Sequence, residues 1–135
     1  MTQPLLALQA AIVATLNGDA ELVALLGGAK TYEQAPAATI YPWIAFEEMR
    51  ARDNSVSDFP GHELRVSLLC VSRQPGSAEA LTIAARVVEL LDDANLTLDG
   101  HRLIHLAATS VDLIRAGKDP VRKARISLRA VTETI

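Results

Sequence analysis

The sequence predicts an α+β fold: an antiparallel β-sheet with helices packed on one face, in a single domain over residues 1–135. Three observations carry this. Apolar residues recur at helical spacing near the N-terminus and again after Ser77, two segments alternate as strands do, and turn-forming dipeptides separate the elements. A chain of 135 residues fits one domain and buries about two thirds of its unfolded surface.

Leu5, Leu8, Ile12 and Leu16 form one stripe behind Pro4, which suits a first helical turn, so residues 4–16 read as an amphipathic helix stopped by Asn17-Gly18. Asp19 caps a second, short helix with Leu22, Leu25 and Leu26 inward, and Gly27-Gly28 supplies a left-handed end. A short strand is expected at Ala29–Glu33. Tyr41-Pro42 forces an extended backbone into Trp43-Ile44-Ala45-Phe46, predicting a strand to about Arg50. His62–Arg73 alternates, with Leu64, Val66, Leu68 and Cys70 on one face. Between these strands, Ala51–Gly61 reads as a polar loop of eleven residues, a length associated with function.

Gln74-Pro75-Gly76 turns the chain, and Ser77 is positioned to accept a bond from an unpaired amide at the start of a helix over Ala78–Leu91. Leu81, Ala84, Ala85, Val88 and Leu91 are its expected inward face. Asp99-Gly100 suggests a hairpin between Leu96-Thr97-Leu98 and Arg102-Leu103-Ile104. A strand over Leu103–Leu113, a turn at Gly117–Pro120 and a strand over Ala124–Thr132 complete the chain. In the last strand Ala124, Ile126, Leu128 and Ala130 alternate with Arg125, Ser127 and Arg129.

The residues offer no catalytic constellation, and the sequence is read as not an enzyme, with no cofactor and no metal. Ser77 lies outside any nucleophile elbow, and Cys70 lies on an apolar strand face, where a thiol is inert. The single cysteine excludes an internal disulfide. His101 and His105 are four residues apart on an expected strand, about 13 Å and too far to share an ion, so they and His62 read as surface or edge residues. Gly27-Gly28-Ala29-Lys30-Thr31 lacks the glycine spacing of a phosphate loop. Glu47 and Glu48, adjacent on a strand, should point to opposite faces.

No apolar run approaches the roughly 20 residues of a membrane span, and no basic region precedes the first apolar residues, so neither a membrane nor a secretory signal is expected. Net charge is only −3 but unevenly spread. Up to Ile114 seven Lys/Arg face fourteen Asp/Glu, whereas from Arg115 six face two. Such separated charges suit a head-to-tail contact between copies, acidic patch to basic patch. The basic end lacks interleaved aromatics and nucleic-acid motifs.

Taken together, Gly18-Asp19-Ala20-Glu21-Leu22-Val23-Ala24-Leu25-Leu26-Gly27-Gly28, Tyr41-Pro42-Trp43-Ile44, the strand from His62 and the helix from Ser77 resemble the tail-completion, or tail-terminator, family of long-tailed phages, prophages and gene transfer agents. The resemblance implies a subunit of a hexameric ring on the head-proximal end of the tail tube. Such a ring halts tube polymerisation and joins the tail to the head connector, assembling in the bacterial cytoplasm and ending in the particle. The implied partners are further copies of itself, the tail tube protein and the connector or stopper, with DNA crossing the lumen unbound. The basic strand is expected to face a protein neighbour rather than that lumen. No catalytic residues come with the family. The candidate interface residues are Asp53, Asn54, Asp58 and Phe59 in one loop, Arg115, Lys118 and Asp119 around the last turn, and Arg122, Arg125 and Arg129 beyond it. Two alternatives stand beside this reading: another head–tail neck adaptor, and a small nucleic-acid-binding regulator using the basic end.

Overall fold

A computed structural model describes residues 3–55, 59–114, 118 and 120–135. Three helices, α1 (Pro4–Asn17), α2 (Ala20–Leu26) and α3 (Ala78–Leu91), accompany five strands: β1 (Thr31–Tyr32), β2 (Trp43–Asp53), β3 (Gly61–Ser72), β4 (His101–Ile114) and β5 (Arg122–Thr134). The strands form one sheet in the order β1-β2-β3-β5-β4. β1 pairs parallel with β2 and every other pairing is antiparallel, so the sheet is mixed at one edge. β3 and β4 are not neighbours: α3 carries the chain across, and β5 returns between them.

Alternation decides which residues enter the core. Leu64, Leu68, Cys70, Ile126 and Leu106 are fully buried under the helices, against Leu8, Ile12 and Leu16 of α1, Leu22 of α2 and Leu91 of α3. Each such leucine or isoleucine contributes about 1.5–3 kcal/mol by leaving water. The helices cover one face of the sheet; Lys123, Arg125, Ser127 and Arg129 stand on the other, uncovered face.

Local chemistry sets the boundaries. The Gln3 side chain accepts from the Leu5 amide at 2.6 Å and so caps α1, a role the sequence does not advertise. Asp19 caps α2 through the Leu22 amide at 2.9 Å, and Gly27, at φ 77°, ends it in the left-handed region that glycine adopts without cost.

Several expectations are corrected. β2 runs to Asp53 and β3 starts at Gly61, so the loop spans residues 54–60 and is shorter than eleven residues; Asn54 still pairs with Gly61 (N···O 2.9 Å). At Gly61 a Cβ would lie 2.8 Å from the Thr132 carbonyl oxygen, so β5 approaches there too closely for a side chain. Ser77 stands at the N-cap of α3, but its side chain makes no capping hydrogen bond. α3 buries Ala80, Ile83, Ala84, Val87 and Leu91, leaving Leu81 and Ala85 exposed: the inward face lies one residue, about 100°, from the expected one. Residues 96–98 form no strand, and the Asp99-Gly100 turn closes only a single bridge, Leu98 to His101.

Candidate assembly surfaces

The strands of the sheet are long, 12 residues in β3, 14 in β4 and 13 in β5, against a usual five or six. At about 3.3 Å per residue the sheet therefore has two ends some 40 Å apart. The candidate residues divide between those ends and the uncovered face. Asp53, Asn54 and Phe59 lie at one end. Lys118, exposed, and Arg122 lie at the other, beside Ser72 of β3. Arg125 and Arg129 stand on the face between. Asp58, Arg115 and Asp119 fall outside the described residues, as does Gly117 of the Gly117–Pro120 turn.

The loop end is built by its own polar side chains. Asp53 accepts from the Ser55 amide at 3.0 Å and from its hydroxyl at 2.6 Å; the same hydroxyl accepts from the Gly61 amide at 3.2 Å. These bonds hold the Asp53 carboxyl below its usual range, the Ser55 hydroxyl contributing most. The Thr134 amide donates to the Pro60 carbonyl at 3.0 Å, tying the last strand to the loop. Phe59 is left 66% exposed beside Ile104, 52% exposed, and Val131. Phe59 and Ile104 thus form an exposed apolar patch beside the anchored loop.

On the uncovered face Arg125 and Arg129 are not free. Arg125 holds Glu47 of β2 (Nη2···Oε2 2.8 Å), and Arg129 holds Glu63 of β3 at 2.9 Å. Glu63 also holds Arg65 at 3.1 Å, and Arg102 pairs with Glu133. The Arg125 guanidinium, aided by the Ser67 hydroxyl, keeps Glu47 below the ordinary carboxylate range; Arg129 and then Arg65 do so for Glu63. Arg125 and Arg129 of the basic strand are thus neutralised by their own chain, which the sequence-based charge count missed because the acidic partners lie 78 and 66 residues away. Only the register of β2, β3 and β5 brings them together.

A bulge supplies part of this arrangement. The pairing shifts between Phe46 and Glu48, so Phe46 faces Leu68 while Glu48 faces Ser67. Glu47 is the extra residue, and both carboxylates serve the uncovered face: the Ser67 hydroxyl donates to Glu47 at 3.0 Å and accepts from the Glu48 amide at 3.1 Å. The expectation that Glu47 and Glu48 point to opposite faces assumed an unbroken pleat and does not hold.

Chemistry of other kinds finds little support among the described residues. Cys70 is fully buried and burial pushes its thiol up to about 12. Among the described residues no group of three His, Cys, Asp or Glu converges to hold a metal. His101 is buried rather than at the surface, with its ring edge-on to His62 at 6.4 Å, while the bulge between Leu103 and His105 sends exposed His105 to the opposite face. An open trough of about 550 Å³ on the uncovered face is lined by Glu48, Arg50, Arg65, Ser67 and Thr109. No helix among the described residues is by itself long and apolar enough to cross a membrane.

A helix layer on one side of a long-stranded sheet, an open face carrying ion pairs on the other and an anchored polar loop at one end are the features of a structural assembly subunit. The chain belongs to the family described as tail completion protein gp17, which matches residues 10–133. It is a non-enzymatic structural component of a phage-type tail, which acts by assembling with other proteins of the particle. Among solved structures it is similar to a chain from the virion of a native gene transfer agent particle, with a TM-score of 0.89, 27% identity, and coverage of 98% of this chain and 99% of that one. Comparison with curated protein sequences gives no match.

Proposed function

We propose that the chain is a tail terminator: copies form a hexameric ring on the head-proximal end of the tail tube, stop its polymerisation and present a surface to the head connector. The observation that carries this reading is the family match across residues 10–133, in company with near end-to-end likeness to a chain of a gene transfer agent virion. The long sheet suits it, because strands spanning the subunit offer one end to the tube and the other to the connector. Asp53, Asn54, Asp58 and Phe59 then contact one neighbour, and Arg115, Lys118, Asp119 and Arg122 the other. The protein assembles in the bacterial cytoplasm and ends at the tail–head junction of the particle.

The uncovered face fits a wall that DNA passes without being held. A guanidinium already bound to a carboxylate of its own chain has little left for a phosphate, and counterion release, the main source of non-specific affinity, is correspondingly small. The pairing of Arg125 and Arg129 with Glu47 and Glu63 favours this reading of the face over the expected contact with a protein neighbour.

Negative-stain imaging of particles produced with and without the gene tests the proposal. Overlong or headless tails in its absence are the expected result. Normal tails joined to full heads would overturn it and bring forward a different neck adaptor or a nucleic-acid-binding regulator.

A further inference from the structure

Two stretches of sheet edge stand open while the positions beside them are closed by specific bonds. On the first edge, β1 covers only Ile44 and Ala45 of β2. The outward N–H and C=O of Thr31 in β1 are both taken by the Asn17 side-chain amide, at 3.1 and 3.2 Å. Phe46–Asp53 lies beyond that cover, and its outward backbone groups have no partner among the described residues. On the opposite edge, the middle of β4 is closed by the segment after α3: the Asp93 amide donates to the Leu106 carbonyl at 2.8 Å, and the Ala108 amide donates to the Asp92 carboxylate at 2.9 Å. Ser110–Ile114 lies past this closure, again without an outer partner among the described residues.

Edge strands of lone proteins are blunted by lysine, proline or inward charges. Ser110-Val111-Asp112-Leu113-Ile114 has none of these except Asp112, and its Val111 is 43% exposed although it lies on the helix side of the sheet. That face should be dry, and nothing among the described residues makes it so.

We infer that Ser110–Ile114 of one copy pairs antiparallel with Phe46–Asp53 of the next, with Asp112 opposite Arg50, so that the sheets of adjacent copies join edge to edge. This rests on the ring reading above. Strand direction allows it: within the sheet β4 runs antiparallel to β2, so a head-to-tail repeat about a ring axis sets β4 of one copy beside an antiparallel β2 of its neighbour. Facing residues in an antiparallel pair share a face. Glu48, Arg50 and Arg52 stand on the uncovered face, as do Ser110, Asp112 and Ile114. Asp112 can therefore oppose only Glu48, Arg50 or Arg52. Glu48 sets like charges together, and Arg52 sets Val111 against Asp53. Arg50 alone puts an opposite charge beside Asp112 while seating Val111 against Ala51 and Leu113 against Met49, both half-buried. Arg50 and Arg52 form no ion pair within their own chain among the described residues, so this site has a cation to offer.

Particles assembled with a chain carrying both Arg50→Cys and Asp112→Cys, treated with a short thiol cross-linker, test the pairing. Cys70, fully buried, stays silent. A ladder of covalent oligomers with the double variant, absent from either single variant, is the expected result. A covalent dimer from D112C alone would mean that two β4 edges meet about a two-fold axis, and would overturn the pairing. A ring seen at the tail end without any ladder would overturn the pairing and leave the terminator reading standing; absence of any ring would remove both. Charge reversal gives a second readout: R50D and D112R should each abolish head-joined tails while leaving the melting temperature of the subunit unchanged, and the double reversal should restore them. Failure of the double reversal to restore, with both chains folded, overturns the assigned register.

Discussion

The carboxylate of Asp19 performs two tasks at once: it caps α2 through the Leu22 amide, and it grips Arg86 of α3 with Nη2···Oδ1 at 2.8 Å and Nε···Oδ2 at 3.0 Å. The helix cap and the tie between helices are therefore one group, and Arg86 extends it to Glu89 and Glu21. Arg86, and then the Leu22 amide, lower the Asp19 pKa from its ordinary 3.8.

Asp19→Asn should keep the cap but lose the ionic grip, and Asp19→Ala should lose both. The expected order of thermal stability is native, then Asn, then Ala, read by calorimetry. Equal melting temperatures for all three would show that the cap and the grip contribute nothing.

The shifted carboxylates also set a pH dependence. Asp19, Glu47, Asp53 and Glu63 are all lowered on folding, from ordinary values of 3.8 for the aspartates and 4.5 for the glutamates. A lowered carboxyl stabilises the fold above its unfolded pKa, and that stabilisation fades as pH falls through the folded one. Stability from these groups should be flat above about pH 5.5 and drop below about pH 4.5. Urea unfolding at a series of pH values reads this, and 1 M salt should flatten the drop because the pairs are partly exposed.

Phe59 offers the opposite combination, exposure without structural duty. Phe59→Ala should change unfolding free energy by no more than about 0.5 kcal/mol. If its ring contacts a neighbour in the tail, head-joined particles should fall sharply while the free subunit folds as before. Normal assembly with Phe59→Ala would remove the loop end from the interface.

How far the sequence could be read follows from the range over which its signals act. The α1 stripe, the Asp19 cap, the Gly27 stop and the alternation of β3 and β5 are local patterns set by helix and strand geometry, and they stand in the structure as expected. The bulge at Glu47 is not local: it needs Ser67 from the facing strand to receive both glutamates. The inward face of α3 was misplaced by one residue because its alanines fit either side, and only packing against β3 and β5 chooses Ala80 over Ala85. Among the candidate site residues, exposure of the loop at Phe59 was legible from its polar composition. The pairing of Arg125 and Arg129 was not, because strand order β3-β5-β4 cannot be read from the order of strands in the chain.

That hidden pairing leads to a prediction about DNA. Glu47 and Glu63 hold Arg125 and Arg129 on the uncovered face, and Glu63 also holds Arg65. These pairs are partly exposed, so each is worth about 0–1 kcal/mol to the fold, and the double variant Glu47→Gln with Glu63→Gln should remain folded. Its guanidiniums, however, become available. Non-specific duplex affinity rises with each phosphate a cation neutralises, and the slope of log affinity against log salt steepens by about 0.9 per contact. The native protein should therefore bind duplex DNA weakly at physiological salt, and the double variant more tightly with a slope steeper by about 2 to 3. Fluorescence anisotropy across a salt series measures both. In assembled particles the same change should slow the passage of DNA, because it adds free guanidiniums to that wall. If the double variant binds no more tightly than the native chain, in-chain neutralisation is not what keeps this face from holding DNA, and the uncovered face would have to be assigned away from the lumen.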